Sequence, residues 1–87
     1  MLDIEFIRAQ FPALSNEWAL FDNAGGSVPP RQVIARVTAY MSRYGVQLGA
    51  SYRQSVEASA LVAEGRKAAA RLLGAAPEEV VVGGSTT

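Results

Sequence analysis

The chain has 87 residues, and eight Lys+Arg against eight Asp+Glu give a formal net charge of zero. A neutral chain with no Lys/Arg run offers no electrostatic footprint for nucleic acid or for an anionic membrane. With no Cys and no His, it also lacks a disulfide framework, thiol chemistry and the commonest metal ligand, so no metal site is expected.

Apolar runs stay far short of the roughly 20 residues that span a bilayer. The acidic start Met1-Leu2-Asp3-Ile4-Glu5 does not read as a signal peptide, and the expected compartment is the cytoplasm. Hydrophobic content of 49% with 18% charge argues for a folded chain. Length argues against self-sufficiency, because a domain this small buries only about 60% of its unfolded surface. Much of the apolar content is Ala, which favours helices but buries little area. The chain is either a small helical domain or part of something larger.

Asp3 is placed to cap a short helix running to Phe11, with Leu2 and Ile7 at the positions of a hydrophobic staple and Pro12 as the stop. Ala19-Leu20-Phe21 reads as a short strand leading into the turn formers Asp22 to Ser27. Pro29-Pro30 opens the next helix, where proline suits the first position. Val33, Ile34, Val37, Tyr40, Met41 and Tyr44 then trace one apolar face at the 3.6-residue period, with Gly45 as the expected cap. Val46 to Arg53 has no period and reads as an irregular connection.

A second long helix is predicted over Gln54 to Leu73. Its apolar side is Leu61, Val62, Ala68, Ala69, Leu72 and Leu73. Glu57, Glu64, Arg66, Lys67 and Arg71 form its solvated face, and Gly65 predicts a close packing contact. Gly74 ends it. After the tight connection Ala75 to Glu79, Val80-Val81-Val82 reads as a strand buried on both faces, as in a parallel sheet.

Two constellations could carry chemistry. Strand, Gly83-Gly84, then Ser85-Thr86-Thr87 is what a phosphate site at a helix N-terminus needs. Glycines let the backbone approach an anion, while amides and hydroxyls donate to its oxygens. The same spacing also fits an ordinary strand-to-helix turn with Thr86 or Thr87 as its cap. Gly25-Gly26 could likewise bring amides to a carboxylate, with Asn23 as an orienting amide; an ordinary turn before the Pro-Pro helix fits as well. Tyr40 and Tyr44 read as core residues with hydroxyls at the rim, and Tyr52-Arg53 as a solvated pair.

The combined order of motifs resembles a known family. Phe11-Pro12-Ala13-Leu14, Phe21-Asp22-Asn23-Ala24-Gly25-Gly26, Pro30 and the Val33–Tyr44 helix look like the N-terminal region of class V aminotransferases. These are the cysteine-desulfurase-like group of pyridoxal-phosphate enzymes. Ser55, Glu64-Gly65-Arg66, Ala70 to Ala75, Pro77 to Val82 and Gly84 to Thr87 continue the resemblance in the same order, over essentially the whole chain. Leu48-Gly49 stands where many desulfurases carry His-Arg, and Gly49-Ala50-Ser51-Tyr52 with Ser55 is similar to a desulfurase-like branch instead.

The resemblance implies an α/β, fold-type I transferase. This stretch would be its mostly helical N-terminal portion: a short helix, two long helices and the first strand of the large-domain sheet. Residues 1–53 would form an arm and small-domain segment, and residues 54–87 the start of the cofactor-binding domain. Ser85, Thr86 and Thr87 would receive the phosphate of pyridoxal 5'-phosphate, and Asn23, Ala24, Gly25 and Gly26 would lie beside the substrate carboxylate. The family's cofactor-bearing lysine lies beyond Thr87, so no catalytic residue is expected here and the stretch alone would be inactive; Lys67 is the one lysine. The parent would be a homodimer acting on a small amino acid as a transaminase or lyase. The alternatives are a stand-alone helical interaction module and a non-catalytic phosphate-binding domain.

Overall fold

The computed structural model describes residues 1–84, and contacts divide the chain into two units, Met1–Arg43 and Tyr44–Thr87. In the first unit, α1 covers Ile4–Ala9. Its start is set as the sequence predicts: the Asp3 side chain accepts from the Phe6 amide at 3.0 Å, satisfying one of the free donors of the first turn. The helix ends at Ala9, short of the expected Phe11, and a 3-10 turn follows at Pro12–Leu14. Leu2 stays exposed, as the staple reading did not anticipate.

Helix α2 covers Arg31–Arg43, directly after Pro30. Arg31 sits in a first turn where the helix dipole disfavours a cation. Its position is explained by what it reaches. The Arg31 guanidinium donates to the Ala9 carbonyl, and the Arg31 amide donates to the Gln10 carbonyl at 2.7 Å. Gln32 Nε2 adds a bond of 2.7 Å to Gln10 Oε1. The start of α2 therefore satisfies the open carbonyls at the end of α1, across 22 residues of chain. Nothing in the local pattern signals this junction.

In the second unit, α3 covers Arg53–Leu73 and ends on Gly74 with φ 66° and ψ 32°. The Gly74 amide donates to the Arg71 carbonyl at 3.3 Å and the Ala75 amide to the Ala70 carbonyl at 2.9 Å, the paired bonds of a Schellman motif. A side chain at this left-handed position costs roughly 1 kcal/mol. Gly74→Ala is accordingly expected to speed amide exchange at Ala75 several-fold, read by hydrogen-exchange NMR. Gly45 shows no positive φ and caps nothing in this way.

A 3-10 turn at Pro77–Glu79 packs on α3, with Glu79 Oε2 accepting from the Ala76 amide at 2.8 Å. Val80 closes this contact and is buried, as is Ala70.

Neither predicted strand is present among the described residues. A strand is defined by its ladder, and neither segment has a partner to pair with. Val80 has extended angles and Val81 is 90% exposed, so the three valines are not buried on both faces. The predicted apolar side of α3 is also largely uncovered, with Val62, Leu72 and Leu73 exposed. A Cβ added at Gly65 would meet nothing within 4 Å, so the expected close packing is not formed. The apolar face of α2 is equally bare at Val33, Ile34, Val37 and Met41.

The core is therefore thin. Ala58, Ala70 and Val80 are its buried hydrophobic residues among those described. The chain exposes 7595 Å². Two separate folded units, each of half this mass, would together expose only about 6000 Å².

Candidate functional site

The segment from Phe11 to Val28 builds a groove in the first unit. Short-range bonds shape its walls. Ser15 Oγ donates to the Pro12 carbonyl at 2.8 Å and Asn16 Nδ2 to the Ala13 carbonyl at 2.8 Å. Asn16 Oδ1 then accepts from the Trp18 amide at 2.9 Å. These side chains stand in for the backbone bonds that an irregular segment lacks.

At the far end, the Gly25 amide donates to both the Asp22 carbonyl (3.2 Å) and Asp22 Oδ1 (3.1 Å), and the Gly26 amide to the Asn23 carbonyl (3.3 Å). A Cβ at Gly25 would lie 2.7 Å from Asp22 Oδ2, so a side chain there would push the exposed Asp22 carboxylate aside.

The groove is half open to solvent and has a volume of about 830 Å³. Asn23 and Gly26 line it, whereas Ala24 and Gly25 sit in the turn behind without lining it. Four residues thus divide into two that face a cavity and two that shape the turn. Arg8, at the end of α1, lines the same groove with Phe11, Trp18 and Phe21. Nothing in the sequence pattern marks Arg8, which looks like an ordinary basic residue completing a helix. Only the fold-back of residues 11–28 places it on the same groove as Asn23.

The second unit holds a polar cluster around the N-terminal turns of α3. Ser55 is fully buried; its Oγ donates to the Gln47 carbonyl at 2.6 Å and accepts from the Ala50 amide at 3.0 Å. Ser59 Oγ accepts from the Gly49 amide at 3.4 Å. The irregular connection is thereby pinned to the helix. Glu57 is not simply solvated: it accepts from Tyr44 Oη at 2.9 Å and from Arg53 Nε at 2.8 Å. That hydrogen bond and the Glu57 charge raise the Arg53 guanidinium above its ordinary value.

Ser85, Thr86 and Thr87 lie outside the described residues. Among the described residues no cluster of acidic side chains could hold a metal, and no helix is long and apolar enough to cross a membrane. Gly83 and Gly84, which lead to the hydroxyl run, have open space around the position of a Cβ.

Aminotransferase-like protein FGM3 of Gibberella zeae is 44% identical over 89 residues, covering 97% of this chain and 22% of that protein. The cysteine desulfurase-like protein ustD of Aspergillus flavus is 31% identical over 87 residues, covering all of this chain and 20% of its own length. A probable cysteine desulfurase of Aeropyrum pernix is 35% identical over 83 residues, covering 93% of this chain and 20% of that protein. The chain is thus similar, along nearly its whole length, to proteins named aminotransferase-like and cysteine desulfurase-like. No family model and no solved structure matches it.

The similarity runs over nearly the whole chain, including both the Asp22–Ser27 turn and the α3 region. The chain spans about a fifth of the length of the curated relatives it matches. Its many bare apolar faces agree with that proportion.

Proposed function

We propose that this chain is the N-terminal part of a pyridoxal-phosphate enzyme of fold type I that acts on a small amino acid by transaminase or lyase chemistry. The observation that carries the reading is the match to proteins named aminotransferase-like and cysteine desulfurase-like across 93–100% of the chain. The donor set at the C-terminal end fits the cofactor: flexible glycine backbone at Gly83 and Gly84, then the hydroxyls of Ser85, Thr86 and Thr87, suits a phosphate dianion. When bound, pyridoxal phosphate supplies an electron sink for carbanion chemistry at the α-carbon.

This chain's own residues would bind and orient. Ser85, Thr86 and Thr87 hold the phosphate, and the Asn23–Gly26 turn faces the substrate carboxylate. In the intact enzyme, a cytoplasmic homodimer, residues 1–53 contribute an arm and small-domain segment. Residues 54–87 open the cofactor domain, with extended Val80–Val82 taken up as the first strand of its sheet. A stand-alone module is disfavoured by the exposed apolar faces of α2 and α3.

Thr87→Ala in the enzyme that carries this chain is expected to lower cofactor content after dialysis at least several-fold, with circular dichroism unchanged. Visible cofactor absorbance reads the result. Unchanged occupancy would remove Thr87 from the phosphate site.

A further inference from the structure

We draw no further inference here: the strongest candidate, the exposed apolar face of α2 along Val33, Ile34, Val37 and Met41, is an unpartnered helix face, and nothing in the structure shows what covers it.

Discussion

The isolated 87-residue chain is expected to unfold without a sharp cooperative transition and to exchange most of its amides with little protection. Folding must offset roughly 1–2 kcal/mol of conformational entropy per ordered residue, mainly by burying apolar surface. Here the buried hydrophobic residues among those described are two alanines and a valine. Bulky side chains that would supply several times more burial stand in water: Phe21 is 93% exposed and Leu72 is 87% exposed.

Hydrogen bonds do not make up the difference, since each contributes only about 1 kcal/mol net. What survives in isolation is local. Helix α3, with 21 residues and a Schellman end, is long enough to retain partial helicity. Circular dichroism should therefore show helix that fades gradually on heating, while calorimetry shows no sharp peak. The same chain within the full-length protein should join that protein's cooperative melt. A sharp transition in the isolated chain would mean that the exposed faces find partners in one another or in a second copy.

Helices were legible because their signals are local. The Asp3 cap, the Pro30 start of α2 and the Gly74 end of α3 each depend on neighbours within a turn of chain. No strand forms among the described residues because a run of valines states only that burial suits the segment, while the ladder partner must come from elsewhere. Gly65 was misread for the same reason: a glycine permits close approach but cannot supply the surface that approaches.

At the site, Asn23 and Gly26 could be picked out from turn chemistry. Arg8 could not, because its meaning depends on a fold-back of residues that carry no periodic pattern. Glu57 was assigned to solvent by helical position alone, and its bonds to Tyr44 and Arg53 come from the unpatterned connection lying against that face. The family resemblance and the comparisons agree on kinship, and they reach further than any local spacing argument did.

Ser55→Ala is expected to be the most damaging single substitution in the second unit. The hydroxyl is fully buried and bonded twice, donating to Gln47 and accepting from Ala50. Removing one oxygen leaves a carbonyl and an amide without that partner, each costing on the order of 1–3 kcal/mol if it stays shielded from water. The connection can escape part of that cost by peeling off α3 so that water reaches both groups, which sets a net loss of about 2–3 kcal/mol.

Peeling has a local signature. The Gly49 amide would lose its bond to Ser59, and the order imposed on residues 46–52 would go with it. In the full-length protein, Ser55→Ala should lower the denaturation midpoint and speed amide exchange at Gly49 and Ala50 by tenfold or more. Amides around Gly74 and Ala75 should change little, being held by their own cap. Ser55→Thr keeps the hydroxyl but adds a methyl in a site with no exposed surface, so it should recover the exchange pattern only in part. Protection at Ala50 unchanged in Ser55→Ala would show that the connection is held by something other than this serine.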